Sequence, residues 1–251
     1  MAKQKGIIKI EGTIGGITFV KTQDGYLAKE KTSMSGNRIA TDAAFQRTRE
    51  NAAEFGRAGK AGKVLRTAIR TLLQNAKDKR VVSRLTKEMM KVIKADATSN
   101  RGLRNVVDGE AELLQGFDFN SNAVLSTTLY AKYTGAIDRV TGLLDVNIPA
   151  FVPANDVVVP DGATHYKIVS AGAEVDFENG TYTEAHSETA ILPWDANPVA
   201  AITLSNAVTA NSTHPLFLLL GIQFFQQVNG KNYPLKNGTY NALSLVKVSG
   251  I

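Results

Sequence analysis

The chain has 251 residues, of which 43% are hydrophobic and 21% charged, a balance that excludes wholesale disorder and suits one large domain or two modest ones. Cysteine is absent, which excludes disulfides, thiol catalysis and thiolate metal sites, and no apolar run approaches the roughly 20 residues of a membrane helix. The net charge of +6 hides an asymmetry: 23 Lys+Arg against 9 Asp+Glu give +14 over residues 1–105, and 6 against 14 give −8 over 106–251.

The opening Met-Ala-Lys-Gln-Lys, followed by a short run broken by charge at Lys9, does not read as a signal peptide. Residues 6–31 read as a small β-meander. Ile8 and Ile10 alternate with charged neighbours, Gly12, Gly15 and Gly16 punctuate a reversal, and Ile17–Val20 is β-branched and aromatic. Asp24-Gly25 is a hairpin signal and Tyr26–Ala28 the return strand. A sheet this small is marginal alone, so it is expected to pack on the helices behind it or on a neighbouring subunit. Residues 32–40 read as a polar connector, with Thr41 or Asp42 as a helix cap.

Helical periodicity follows, with Phe45, Ala52 and Phe55 on one face, then Val64, Leu65, Ala68, Ile69, Leu72 and Leu73. Gly56, Gly59 and Gly62 interrupt it, each costing a helix about 1 kcal/mol, so two helices are expected, over about 42–56 and 60–76. A third is expected over about 81–95, with Val81, Leu85, Met89, Val92 and Ile93 as its stripe. Residues 96–123 read as a transition zone, with a short helix over 110–115, a strand at Phe117–Phe119 and the domain boundary near 106–121. Beyond it, strands are expected over 124–133, 142–148, 165–170, 189–192, 200–204, 215–227 and 240–248, with turns at Asn179-Gly180, Asn229-Gly230 and Asn237-Gly238. The run Leu216–Phe225 is expected to be a buried central strand. This pattern predicts an α+β chain: a β-meander with a basic helical hairpin or bundle over 1–105, then an Ig-like antiparallel β-sandwich over 122–251.

The chemistry-bearing residues are few. Arg47, Arg49, Arg57, Lys60, Lys63, Arg66 and Arg70 recur at roughly helical spacing. Such a row neutralises phosphates, or is a solvated helix face, or docks on an acidic neighbour, and no nucleic-acid reading motif accompanies it. Gly56–Lys63 has glycines and lysines but lacks the Gly-Lys-Ser/Thr of a phosphate loop. Its glycines, Gly56, Gly59 and Gly62, suit close packing of another backbone. His165, His186 and His214 have no metal or catalytic spacing, a pair from His186 and Glu188 being weak support for a metal. Asp138, Asp145, Asp156 and Asp161 lack the alternation of a calcium loop, and no nucleophile elbow occurs. Among the aromatic residues of the β half, Trp194, between Pro193 and Asp195, is the candidate exposed contact. No catalytic residue, metal or cofactor is expected.

The runs Lys5-Gly6-Ile7, Gly15-Gly16, Asp24-Gly25-Tyr26, Ala44–Arg49 and Glu54-Phe55-Gly56 resemble an uncharacterised group of proteins common in Bacteroidota genomes and their phages. Thr164–Ile168 and Asn237–Tyr240 extend that resemblance into the β half. It implies a structural or assembly role, in phage-related particles, and brings no catalytic residues.

The expectation is therefore a non-enzymatic structural protein that self-assembles as a phage virion or phage-like particle component, located in the virion or in a cytoplasmic assembly. Its partners would be copies of itself and other virion proteins, with no membrane. One alternative is nucleic-acid binding through residues 1–105; another is a surface module that binds glycan or protein through the sandwich.

Overall fold

A computed structural model describes residues 1–31, 36–76 and 78–250. It divides into two compact units, Met1–Arg49 and Glu50–Ile251.

The first unit is a four-stranded antiparallel sheet and the start of the helical region. Its strands are β1 (Ala2–Lys3), β2 (Gly12–Ile14), β3 (Ile17–Thr22) and β4 (Gly25–Glu30), in the order β1-β4-β3-β2. Asp24-Gly25 makes the β3–β4 hairpin as expected, with Gly25 at φ +109°, a conformation that suits glycine. The expected strand at Ile8 and Ile10 is instead a loop. Gln4 pinches it, its side chain accepting from the Ile10 N–H at 3.0 Å and donating to the Ile10 carbonyl at 3.1 Å. Of the connector expected over 32–40, residues 32–35 lie outside the described ones, and the rest begins α1 (Gly36–Thr41). Asp42 then caps a 3-10 turn through the Ala44 N–H.

Helix α2 (Gln46–Ala68) runs unbroken through Gly56, Gly59 and Gly62, which corrects the expected interruption at the glycines. Ala58, Ala61, Leu65 and Ala68 bury one face of it, and that packing outweighs the weak propensity of Gly56 and Gly59. The break falls at Ile69 (φ −97°, ψ 22°), before α3 (Arg70–Leu73). Helix α4 (Val81–Ala95) buries Val81, Leu85, Met89, Val92 and Ile93, the stripe its periodicity predicted. Phe55, expected to share a face with Phe45 and Ala52, is 61% exposed.

The β half of the second unit begins with α5 (Leu125–Thr128), where a strand was expected. Thr127 and Thr128 donate to the Val124 carbonyl, a local bond that competes with strand pairing. Then come β5 (Thr134–Asp138), β6 (Leu143–Ile148), α6 (Pro153–Asp156), β7 (His165–Asp176), β8 (Thr181–Glu188), β9 (Leu192–Pro193), β10 (Ile202–Ala207), β11 (Leu216–Val228), β12 (Lys231–Pro234) and β13 (Ala242–Ser249). One sheet centres on β11 and β7. β13 and β12 share the outer side of β11, and β8 and β9 share the outer side of β7. A second sheet, β10-β6-β5, folds over it with β10 against β8 and β5 against β13.

The central strand β11 is buried on both faces, which is why it reads as an unbroken apolar run. Phe217 and Leu219 face the helices, in one core with Leu65, Leu85, Met89, Val169 and Leu245. Leu216, Leu218, Leu220 and Ile222 face the small sheet, in a second core with Leu144, Val146 and Ile148. The second unit is therefore α+β with three layers: helices, central sheet, small sheet.

This corrects the expected boundary at 106–121. Val106, Ala111, Leu114, Phe117 and Phe119 lie inside the helix-facing core, and Phe117 and Phe119 exchange backbone hydrogen bonds with Leu243 and Leu245 at the edge of β13. Residues 50–105 are one layer of the sandwich rather than a separate domain.

Candidate assembly surface

The row of seven cations divides by what each touches. Arg49 donates to the carbonyls of Ile39 and Asp42, both at 2.8 Å, and closes the turn before α2. Arg57 donates to the carbonyls of Gly102 (2.7 Å) and Arg104 (3.1 Å). Arg66 is half-buried on the Gly62 carbonyl at 3.0 Å, and burial lowers its pKa. Arg47 is exposed and has an interaction of its own. Lys60, Lys63 and Arg70 are exposed and, among the described residues, their side chains make no hydrogen bond or ion pair. Helical spacing alone could not single out Arg57, because the accepting carbonyls of Gly102 and Arg104 lie about 45 residues downstream.

The three glycines separate as well. A side chain at Gly62 would meet Leu85 of α4 at 3.6 Å, an ordinary contact, whereas at Gly56 and Gly59 it would meet nothing within 4 Å. Only Gly62 lies at a helix contact within the chain. Beside this stretch is an open cleft of about 730 Å³, with Phe55 and Met90 among its lining and Lys94, Arg101 and Arg104 around them.

In the β half, Trp194 donates its indole N–H to the carbonyls of Pro153 and Val157, both at 3.1 Å. Its ring pins two loops together and leaves one edge exposed. Glu188 pairs with Lys167 at 2.8 Å, while His186 lies 3.5 Å from Glu184, so the pair His186–Glu188 does not form. Asp138 caps its own turn through Val140 and Thr141, Asp145 bonds Ser205 and Asp156 accepts from the Val152 N–H. Among the described residues, no group of three or more His, Asp or Glu could hold a metal ion, and no helix is long and apolar enough to cross a membrane.

The feature that sequence reasoning missed is in the first unit. None of its described residues is buried. The strand register assigns Ile14, Ile17, Phe19, Tyr26 and Ala28 to one face and Val20 and Leu27 to the other. Ile7 and Ile8 stand exposed at the tip of the Gln4-pinched loop, between Lys5 and Lys9. Nine Lys+Arg against four Asp+Glu leave this unit at +5. The alternation of isoleucine with lysine was visible in the sequence; that none of these residues is buried was not.

No family model matches the chain, and no curated protein does. A solved structure described as "pH-induced modulation of Streptococcus parasanguinis adhesion by Fap1 fimbriae" is similar over 47% of this chain and 80% of its own, at 11% identity and a TM-score of 0.23. A likeness that loose carries no argument about function.

Proposed function

We propose that this chain is a non-enzymatic structural protein that assembles with copies of itself, as a component of a phage virion or phage-like particle. One observation carries the reading: a four-stranded sheet bearing Ile, Phe, Val and Leu has no buried residue among those described. Burying apolar area is worth about 25 cal/mol per Å², and a small sheet without a core does not hold its strands alone. Such a unit gains its stability when another surface covers it. The resemblance to Bacteroidota and phage proteins is the reason for choosing a particle among assemblies, in the virion or as it forms in the cytoplasm, with other virion proteins as further partners. The test is light scattering and electron microscopy of the purified full chain at low salt. Rings, tubes or particles are expected; a strict monomer at high concentration overturns the reading.

A second reading, nucleic-acid binding, is favoured by Lys60, Lys63 and Arg70, which are exposed and unpaired among the described residues. Three phosphate contacts predict a log–log salt slope of about −3 on duplex DNA, abolished in Lys60→Glu/Lys63→Glu/Arg70→Glu. Fluorescence anisotropy across salt measures it, and no binding at low salt ends this reading. The glycan reading has no such support, because the Trp194 indole N–H is already used within the fold.

A further inference from the structure

We propose that the apolar face of the N-terminal sheet of one copy packs on the outer face of the β10-β6-β5 sheet of a second copy. The inference rests on the self-assembly reading above and names the surfaces that meet.

The donor face is set by register. Ile14 lies opposite Ile17, Phe19 opposite Ala28, and Lys21 opposite Tyr26, and directly opposed residues share a face. Ile14 is 62% and Ile17 47% exposed. Lys21 and Lys9 lie 5.7 and 5.9 Å from the Tyr26 ring centroid, so this apolar face has a cationic side.

The acceptor face is the outward side of the small sheet, the side opposite Leu144, Val146 and Ile148. In register there are Ala136 beside Asp145, and Asp138 beside Leu143. Ala136, Asp138 and Leu143 are exposed. The three strands carry two carboxylates and no lysine or arginine. The one arginine of the β5–β6 turn, Arg139, turns away to the carbonyls of Ser212, His214 and Gly250. The surface thus carries mostly short side chains and two carboxylates, and two sheets stack face to face at about 10 Å.

Charge selects this occupant over another N-terminal sheet. Two such units, each at +5, repel, whereas the small sheet offers Asp138 and Asp145, with no lysine or arginine on its strands, to the Lys9 and Lys21 side of the donor face. Donor and acceptor are different surfaces, so the contact is heterologous and propagates into rings or filaments. Strands of two, three, six and six residues cover about 300 Å², well under half of the about 800 Å² per partner of a stable pair. Single contacts are accordingly weak, and the assembly is concentration-dependent.

The natural absence of cysteine makes the test direct. Two single variants, Ile17→Cys and Ala136→Cys, are mixed under mild oxidation in the full chain, with Thr134→Cys as a second acceptor probe. Mixed disulfide dimers in excess of either homodimer are expected. In addition, Ala136→Glu should tighten self-association about three- to fivefold and Ala136→Lys weaken it as much, read by sedimentation. If the protein self-associates but only Ile17→Cys homodimers form, or Ala136→Glu and Ala136→Lys act alike, the inference falls and the assembly reading stands. A concentration-independent bond within the double variant also overturns it. A monomer in every preparation sinks both.

Discussion

Two buried polar residues show how much single side chains organise the fold. Asp96 is buried and accepts from the N–H groups of Thr98, Ser99 and Asn105. Burial would raise its pKa, but those hydrogen bonds outweigh burial and hold it well below the ordinary carboxylate range. A folded pKa below the unfolded value of about 3.9 means the stabilisation is fully present above that pH and lost as pH falls beneath it. Asp96→Ala should cost about 3 kcal/mol, and Asp96→Asn should flatten the acid limb of a pH–stability curve, both read by urea unfolding. Tyr166 is the opposite case. It is fully buried, and its hydroxyl has no partner among the described residues. Burial and nearby Asp195 push its pKa up to about 12. Its folded form holds the proton longer than the unfolded chain, so stability is present below about pH 10 and falls between there and about 12. Tyr166→Phe removes an unsatisfied group; it should leave stability at pH 7 unchanged or slightly higher and abolish that alkaline loss. Trp194→Ala should cost about 2 kcal/mol by freeing the Pro153 and Val157 carbonyls, seen as a lower Tm.

Among the elements, α2 is where local propensity and packing disagree. Its glycines predicted a break, and its buried alanines and Leu65 hold it continuous. Gly56→Ala and Gly59→Ala meet nothing within 4 Å and should each stabilise the helix by about 1 kcal/mol, measured by thermal unfolding. Helix α4 and strand β11 were legible in advance, because the stripe from Val81 to Ile93 and the run from Leu216 to Phe225 each match one period over their whole length. Strand β8 was missed: Thr181–Glu188 is an edge strand with most side chains exposed, so it lacks the apolar alternation that marks a strand. The turn signals held at Gly25, Gly180 and Gly230, where positive φ is required. Asn237-Gly238 has the same backbone preference but closes a 3-10 turn before β13.

Among the described residues, the two buried cores draw none from the first unit, their earliest being Ala58. Removing residues 1–31 should therefore leave the main thermal transition within about 2 °C, because little of ΔG_unfold resides there, while abolishing self-association; calorimetry and light scattering on one sample check both. Composition, the charge split between residues 105 and 106, the α4 stripe and the buried β11 run were determined by the sequence alone, since each is a local pattern repeated over many residues. Tertiary structure alone decided that the helices are a layer of the sandwich, that Arg49, Arg57 and Arg66 serve backbone carbonyls while Lys60, Lys63 and Arg70 face outward, and that no described residue of the N-terminal sheet is buried. Apart from the local bonds of Arg49 and Arg66, those outcomes depend on which surfaces meet across gaps of tens of residues, and burial is a property of such meetings rather than of any segment by itself.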